Sequence, residues 1–346
     1  MRIALDGMPL AHPLTGVGHY TAELARNLAV VAPSDSFTFI SPAGMLKRRW
    51  WSLGLPLHLL RNSFDVFHGT NYEIPFWSRR PTVVTIHDLS LLLHSEVHEQ
   101  KLVQRARWRL PLMAKAASKI ITPSNSVKTE VCEALEVNPD KVTVTPEAPR
   151  PVFRRKEDPE LLRRLDIDGE FILFVGTIEP RKNLRRLVEA FGRVAHGTDL
   201  PQKLVIAGGQ GWLMDDFSAL IREKRLEDRV CLTGYLEDDD LCALYSGCAA
   251  FVYPSLYEGF GLPPLEAMAC GAPVITSRIS SLLETVGSAA RLVDPNDTDD
   301  LARAMIEMLS QTHVREHYAE LGTNQVKKFT WQQTALKTLA VYRDLL

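Results

Sequence analysis

Short apolar runs alternate with longer segments of helical periodicity along the chain. Twelve of these runs are rich in β-branched or aromatic residues and apolar throughout, which is typical of strands buried on both faces of a parallel sheet. They lie at 2–6, 37–41, 65–69, 82–87, 119–124, 141–146, 171–176, 203–209, 229–234, 249–255, 272–277 and 290–295. Helical segments between them lie at 100–117, 183–195, 215–226, 239–247 and 299–310. The alternation predicts an α/β protein with two doubly wound parallel sheets.

A stretch rich in proline and charge, 145–159, separates the first six strand candidates from the last six. Because a new series of strands starts directly after it, we interpret it as a connector between domains; a long surface loop within one domain is the alternative. A length of 346 residues also fits two cores better than one. We predict domains over 1–150 and 151–328, and we expect the amphipathic segment 329–346 to pack back on the first domain.

The charge distribution narrows the class of partner. Residues 1–150 hold 17 Lys and Arg against 13 Asp and Glu, whereas the whole chain has a net charge of −2. A mildly basic first domain favours an anionic partner such as a phosphate-bearing substrate or a lipid surface. The excess is too weak for nucleic acid, and no basic stripe interleaved with aromatic residues is present.

The cysteines and the apolar segments indicate a cytoplasmic protein. The five cysteines are scattered and form neither a CxxC pair nor a Cys/His cluster with zinc spacing, so we expect reduced thiols and no metal site. Asp6 interrupts the only apolar run at the amino terminus, which argues against a signal peptide. No stretch approaches the 18–20 apolar residues of a membrane span, so we expect contact with a membrane surface at most.

Two loops that follow strands in the first domain carry candidate chemistry, because ligands of doubly wound sheets bind beyond the carboxyl ends of the strands. Gly16 and Gly18 precede a helix and would let backbone N–H groups approach an anion; a plain strand-to-helix turn is the alternative. His87 and Asp88 follow the strand at 82–87, where a histidine can bind a sugar hydroxyl or transfer a proton. A His–Asp pair that only stabilises the loop would give the same pattern.

A pair of cations follows the first strand of the second domain. Arg181 and Lys182 lie between Gly176 and a helix predicted to begin at Asn183. Arginine supplies a planar fork and lysine a compact charge, which together suit a diphosphate. A solvated helix face is the alternative interpretation.

The stretch YEGFGLPPLEAMACG, 257–271, places a glutamate on each side of a turn rich in glycine and proline. Gly259 and Gly261 permit close approach to phosphate oxygens, and the helix that follows adds its dipole. We predict that Glu266 lies in the first helical turn and accepts hydrogen bonds from ribose hydroxyls, as an acidic residue does in dinucleotide sites. Glu258, at the start of the loop, would accept hydroxyls of a second sugar. The pattern therefore indicates a nucleotide-sugar site.

The segment YPSLYEGFGLPPLEAMACGAPVITS resembles the signature of retaining GT-B glycosyltransferases of family 4. The resemblance extends, in the same order, to GVGHY, IHD, GTIEPRKN, VIAGGQG, LTGYL and LLETVGSAARLVDP, and so covers essentially the whole chain. It implies a GT-B fold, in which two Rossmann-like domains face a deep cleft. The first domain would bind the acceptor and the second the nucleotide-sugar donor.

The resemblance also implies roles for individual residues, and each of the matching positions carries the expected residue type. His87 would touch the donor sugar, Glu258 would bind its hydroxyls, and Arg181 with Lys182 would neutralise the leaving diphosphate. The implied donor-binding positions are Gly16, Gly18, Gly176, Gly259, Phe260, Gly261, Leu262 and Glu266. The residues we expect near the acceptor are Asn71, Tyr72 and Asp88.

The chemistry that the resemblance implies needs no cofactor and no metal. Retention could pass through a carboxylate nucleophile, but family members lack a well-placed one. The family favours front-face attack, in which the leaving phosphate takes the acceptor's proton. The two cations would then replace the divalent metal that other sugar transferases need.

Donor and acceptor are narrower expectations. IHDLS and the PEAP segment are similar to bacterial GDP-mannose transferases that build exopolysaccharide or O-antigen units, although UDP-glucose and other UDP-sugars remain open. The acceptor would be a saccharide or a polyprenyl-diphosphate-linked saccharide. Residues 45–61 join Lys47, Arg48 and Arg49 to tryptophan and leucine, which suits a helix on an anionic membrane or an ordinary packed helix.

Two further classes of function share this fold or its ligand. An epimerase or a phosphorylase has a comparable pair of domains, but an epimerase does not need the two glutamates, and the context of a phosphorylase's cofactor lysine is absent. A non-catalytic subunit that binds sugar nucleotides is the alternative outside enzymes. Turnover by the purified chain would exclude it.

Overall fold

The structure is a computed structural model that describes residues 1–11, 14, 16–42, 48–209, 211 and 217–346. It divides into two compact units. Unit 1 comprises Met1–Glu147 together with Phe329–Leu346, and unit 2 comprises Ala148–Lys328.

All twelve predicted strands are present, with ends that differ by a few residues from the predicted ones. In unit 1 they are β1 Arg2–Asp6, β2 Ser36–Ile40, β3 Val66–Gly69, β4 Thr82–Thr85, β5 Lys119–Thr122 and β6 Val142–Val144. In unit 2 they are β7 Phe171–Val175, β8 Lys203–Ala207, β9 Val230–Gly234, β10 Ala250–Tyr253, β11 Val274–Ser277 and β12 Arg291–Val293.

The α-helices lie between and after the strands. In unit 1 they are α1 Gly16–Val31, α2 Leu55–Arg61, α3 Ser90–Leu93, α4 Gln100–Ala116 and α5 Asn125–Ala134. In unit 2 they are α6 Pro159–Arg164, α7 Leu184–Gly197, α8 Phe217–Glu223, α9 Asp238–Gly247, α10 Leu262–Ala269, α11 Ser280–Val286, α12 Thr298–Ser310 and α13 Thr312–Val326. The last, α14 Trp331–Arg343, belongs to unit 1. The start of the helix predicted at 215–226 lies outside the described residues.

Each unit is built on one six-stranded sheet in which every pair of neighbours is parallel. The strand orders are β2-β1-β3-β4-β5-β6 in unit 1 and β12-β11-β10-β7-β8-β9 in unit 2. The chain reverses its direction of winding between β1 and β3 in the first sheet and between β7 and β10 in the second. Such switch points are where open α/β sheets bind ligands.

The described part of the segment at 45–61, residues 48–61, packs largely as an ordinary element of the core. Trp50–Gly54 forms a π-helical turn that leads into α2, and Trp50, Leu55 and Leu59 are buried in the hydrophobic core of unit 1. Leu53 and Leu60 are exposed. Residues 45–47, with the predicted basic residue Lys47, lie outside the described residues.

Helix α14 returns to unit 1 and packs on α1. The Tyr342 hydroxyl lies 2.6 Å from Nδ1 of the buried His68, and Thr334 Oγ1 donates to the Pro146 carbonyl at 2.6 Å. The five cysteines are free thiols. In the part of the chain that the structure describes, no helix is both long and apolar enough to cross a membrane.

Candidate functional site

The loops after β7 and β10 bring Arg181, Lys182 and Glu258 together at the switch point of the second sheet. Lys182 Nζ donates to Glu258 Oε1 at 2.6 Å, and Arg181 Nη1 donates to Glu258 Oε2 at 3.0 Å. Tyr253, the last residue of β10, binds both partners: its hydroxyl lies 2.5 Å from Lys182 Nζ and 2.9 Å from Glu258 Oε1. Arg181 Nη2 donates to the buried Glu179 at 2.7 Å. Two cations and two carboxylates therefore share one cluster.

Local backbone geometry holds the two cations next to each other. They end a short 3₁₀ turn, Pro180–Lys182, and Asn183 then takes a left-handed conformation with φ of 61° before α7 begins. Asn183 Nδ2 donates to the carbonyls of Pro254 and Pro295 at 3.0 and 2.8 Å. Asparagine tolerates this backbone region better than most residues, and its amide ties the loop after β7 to the loop after β10.

The electrostatics of the cluster keep Glu258 ionised. Burial alone would raise the pKa of this carboxylate, but Lys182 and Arg181 outweigh burial and lower it to about 2. Burial lowers the pKa of Lys182, Glu258 opposes that effect, and Arg181 adds to it. A carboxylate held between two cations in a buried site is a fixed anion with oriented oxygens.

The glycine loop ends in a strained turn that starts α10. Gly261 is the N-cap with φ of +112°, and a Cβ there would lie 2.5 Å from Leu282 Cδ2, so only glycine fits. Helix α11 fixes the loop through two hydroxyls: Ser281 Oγ donates to the Glu258 carbonyl at 2.5 Å and Thr285 Oγ1 to the Phe260 carbonyl at 2.7 Å. The predicted positions Gly176, Gly259, Phe260, Gly261 and Leu262 thus lie in the loops after β7 and β10 and at the first residue of α10.

Glu266 lies in the second turn of α10, whereas the sequence analysis predicts the first turn. Because Gly261 is the N-cap, Leu262 is the first helical residue and Glu266 the fifth. The Tyr245 hydroxyl donates to Glu266 Oε2 at 3.3 Å. Burial raises the pKa of Glu266 to about 7, although Arg150 and Tyr245 oppose this. The site therefore pairs a carboxylate that is ionised at neutral pH with one whose pKa is raised to about 7.

In unit 1, His87 lies between two acceptors. Its Nδ1 is 2.9 Å from Glu147 Oε1, and its Nε2 is 2.9 Å from the Thr70 carbonyl oxygen. The Thr70 carbonyl can only accept, so Nε2 carries a proton, and Nδ1 carries one as well when Glu147 is ionised. Burial lowers the pKa of His87, but Glu147 and Thr70 outweigh it and the net change is upward. A further hydrogen bond from His87 requires one of these two to break.

The predicted acceptor residues separate into two groups. A cavity of about 410 Å³ opens at the switch point of the first sheet. Its lining residues are Asp6, Met8, Trp51, Asn71, Tyr72, Glu73, Leu91, Leu102, Arg105, Ala106, Arg109 and Leu110. Asn71 and Tyr72 belong to it. Asp88 does not line the cavity. Its Oδ1 instead accepts hydrogen bonds from the backbone N–H and the hydroxyl of Ser90, at 2.9 and 2.8 Å.

Gly16 and Gly18 lie within α1 rather than in a loop before it. Gly16 is the first residue of the helix. Gly18 is buried, and a Cβ there would lie 2.5 Å from the Pro9 carbonyl oxygen, so this glycine lets α1 pack on the turn at Met8–Leu10. Helix packing accounts for Gly18 without a ligand.

Sequence reasoning missed three side chains of these sites. Tyr253 was part of an apolar strand candidate, Glu147 was part of the connector, and Asp6 had served only to argue against a signal peptide. Each is a polar side chain at or just after the carboxyl end of a predicted strand. That position was the signal that could have identified them. No group of three or more His, Cys, Asp or Glu able to hold a metal ion occurs within the described ranges.

The sequence of the chain matches family models and known proteins among the glycosyltransferases. The family model for glycosyl transferases group 1 matches residues 159–327, and the model for glycosyltransferase family 4 matches residues 18–148. The chain is 29% identical to O-antigen chain mannosyltransferase B of Escherichia coli, covering 100% of both proteins. It is 31% identical to an uncharacterised glycosyltransferase of Methanocaldococcus jannaschii, covering 82% of this chain and 76% of that protein.

The fold has close counterparts among solved structures. Sucrose-phosphate synthase from Thermosynechococcus elongatus superposes with a TM-score of 0.80 at 21% identity, covering 100% of this chain and 99% of that one. At this identity the likeness shows the fold alone. It confirms the predicted GT-B class, with two Rossmann-like domains.

Proposed function

The chain belongs to the glycosyltransferases of group 1 and family 4, and from this premise we propose that it transfers mannose from GDP-mannose to a saccharide acceptor with retention of configuration. The observation that carries the proposal is the cluster of Arg181, Lys182 and Glu258 at the switch point of the second sheet. In this arrangement two adjacent cations lie beside a glycine loop and a helix N-terminus, which suits the diphosphate of a nucleotide sugar.

We assign the donor-binding roles along the loop between β10 and α10. Arg181, Lys182 and the backbone before α10 would bind the diphosphate, and Glu258 would accept hydroxyls of the sugar. Glu266, on the second turn of α10, would accept the ribose hydroxyls. His87 would bind a hydroxyl of the donor sugar, as the resemblance implies, by giving up its bond to the Thr70 carbonyl. The arrangement supports these roles because Glu258 is ionised and Glu266 titrates near neutral pH.

The proposed reaction is a front-face displacement. The bond between the sugar C1 and the diphosphate oxygen breaks, and the acceptor hydroxyl oxygen bonds to C1 on the same face. The departing phosphate oxygen takes the proton of that hydroxyl. Arg181 and Lys182 stabilise the negative charge that develops on the leaving group. These cations do the work of a Lewis acid, so we propose turnover without a metal or a cofactor.

Mannose and guanine are the narrower part of the proposal. O-antigen chain mannosyltransferase B aligns with this chain from end to end, which supports mannose as the transferred sugar. A UDP-sugar, with glucose first, is the alternative that the same cluster would accommodate. The two cations are assigned to the diphosphate and not to the base, so they do not distinguish GDP from UDP. Competition between nucleotides for binding is therefore the measurement that identifies the donor.

The proposed acceptor is a saccharide carried on a polyprenyl diphosphate at the inner face of the cell membrane. Arg48, Arg49, Leu53 and Leu60 are all exposed, a combination that suits an anionic lipid surface. Co-sedimentation with vesicles that contain anionic lipid, and none with neutral vesicles, would support this placement. Equal behaviour with both would remove the membrane from the proposal.

The decisive experiment is turnover by the purified chain with GDP-mannose, UDP-glucose and a mannose-terminated acceptor, with and without a chelator. We expect GDP-mannose to be used, the product to be the α-anomer by NMR, and the chelator to have no effect. Arg181→Met should lower kcat by about 10²–10³-fold. Arg185→Met, a change of the same kind on the exposed face of α7, should leave kcat unchanged. Binding of GDP-mannose without turnover would favour a non-catalytic subunit.

A further inference from the structure

Glu147 and His87 form a buried pair within unit 1. The carboxylate oxygen Oε1 lies 2.9 Å from His87 Nδ1, and the side chains of Glu147 and His87 are only 7% and 13% exposed. The backbone next to Glu147 is fixed by α14, because the Pro146 carbonyl accepts from Thr334 Oγ1 at 2.6 Å. The carboxylate therefore has a set position beside the imidazole ring.

The hydrogen bonds of His87 specify the form of its ring. Nε2 lies 2.9 Å from the Thr70 carbonyl oxygen, and Nδ1 faces the carboxylate of Glu147. A neutral imidazole has one N–H and can satisfy only one of two acceptors, whereas an imidazolium satisfies both. With Glu147 ionised, the geometry is therefore that of a histidine cation.

The titratable groups that face His87 come from several elements packed around it: Tyr20 of α1, His68 of β3, Tyr72, Asp88 and Glu147. Burial lowers the pKa of His87, but Glu147, the Thr70 carbonyl and Asp88 raise it and prevail. Asp88 is the next residue in the chain, but its Oδ1 is bonded to Ser90. Glu147 is therefore the carboxylate in direct contact with the ring.

We propose that Glu147 is a positioning residue that keeps His87 as a cation, so that Nε2 offers a charged N–H to a ligand hydroxyl when it leaves the Thr70 carbonyl. The reaction that this serves rests on the proposed function, in which His87 binds a hydroxyl of the donor sugar. The protonation of His87 does not depend on that function. A hydrogen bond from a charged donor is roughly twice as strong as one from a neutral donor. Glu147 would thus strengthen donor binding without contact with the donor.

The test is Glu147→Gln in the full chain, because glutamine keeps the shape of the side chain and removes its charge. The glutamine amide can donate to Nδ1, and Nε2 keeps the proton that Thr70 accepts. At pH 6.5, the ordinary pKa of histidine, NMR of the nitrogen-labelled ring should show mainly two N–H groups in the wild type and mainly one in Glu147→Gln. Loss of the signal in His87→Gln assigns it. A mainly neutral His87 in the wild type would overturn the proposal.

Kinetics show whether the charge serves the reaction. Above pH 6.5 we expect Glu147→Gln to lower kcat/KM for the nucleotide sugar by about 10-fold, and the loss of activity toward alkaline pH to begin at a lower pH than in the wild type. Glu96→Gln is the matched control, since Glu96 lies 3.6 Å from Nδ1 of His94 in an exposed pair of the same unit. It should leave the kinetics unchanged. An equal loss at every pH, or no loss, in Glu147→Gln would contradict the proposed role.

Glu147→Asp keeps the test valid if Glu147→Gln unfolds. Aspartate retains the negative charge, so His87 should keep two N–H groups at pH 6.5 and the alkaline loss of activity should stay near that of the wild type. A neutral His87 in this variant would count against the proposal. An imidazolium that depends on Glu147, in a chain that turns over no nucleotide sugar, would refute the proposed function alone.

Discussion

Lys182→Met is the substitution that most directly tests the energetics of the cluster in unit 2. Glu258 is 9% exposed and keeps its charge because Lys182 and Arg181 lower its pKa from 4.5 to about 2. That difference corresponds to about 3 kcal/mol in favour of the ionised form. Removal of one partner of a buried pair costs about 3–5 kcal/mol. We expect the lower end of that range, since Arg181 still binds Glu258 Oε2.

The assay is hydrogen-exchange mass spectrometry in increasing urea, on peptides that span β7 and β10. It reports the free energy of unfolding of unit 2 alone. At pH 7, Lys182→Met should lower this free energy by about 3 kcal/mol. Lys224→Met removes a lysine from a surface pair with Glu223 and should leave this free energy nearly unchanged.

A double-mutant cycle with Glu258→Gln isolates the interaction. Once Glu258 is neutral, Lys182→Met should cost much less than it does alone, with a coupling of about 1–3 kcal/mol. Because the folded-state pKa of Glu258 is depressed, its contribution is present above pH 4.5 and is lost as the pH falls toward 2. Additive costs in the cycle, or a Lys182→Met variant as stable as Lys224→Met, would refute the reasoning.

Three other predictions follow from single contacts. The raised pKa of Glu266 means that the wild type loses stability relative to Glu266→Gln as the pH rises from 4.5 to 7, while its GDP affinity, measured by calorimetry, rises over the upper part of that interval. Gly261→Ala should cost about 1–3 kcal/mol and abolish nucleotide binding by calorimetry, because its φ is +112° and the new Cβ meets Leu282. Tyr342→Phe should destabilise unit 1 by about 1–3 kcal/mol in urea, since it leaves His68 Nδ1 without this bond, and GDP affinity should not change.

The fold was predictable from the sequence because strands buried on both faces need continuous apolar runs, and such runs are easy to recognise. The residues at which helices and strands begin and end were less predictable. Whether Glu266 lies in the first or the second turn of α10 depends on which residue takes the N-cap. Gly261 is the N-cap because its backbone is left-handed. Glycine allows this conformation, but the sequence alone does not show which glycine adopts it.

Pairings between distant side chains could not be predicted at all. His87 and Glu147 are 60 positions apart, and they meet because β4 and β6 both flank β5 and end at the same edge of the sheet. The sequence marks each of them as a polar residue after a strand. It does not state that the two side chains form a hydrogen bond, nor that the Tyr253 hydroxyl lies next to Lys182 Nζ. Such contacts depend on strand order and rotamer, which apolar periodicity leaves open.

The return of α14 to unit 1 has a consequence for the order in which the protein folds on the ribosome. Trp331 and Tyr342 cover Tyr20 and His68, which are translated roughly 300 residues earlier. All of unit 2 is synthesised in that interval, and its synthesis alone takes about 10–40 s at typical elongation rates. During that time the face of α1 that α14 will cover stays open to solvent or to a chaperone, and unit 2 has its whole sequence before α14 is made. The unit that leaves the ribosome first is therefore the last to be completed.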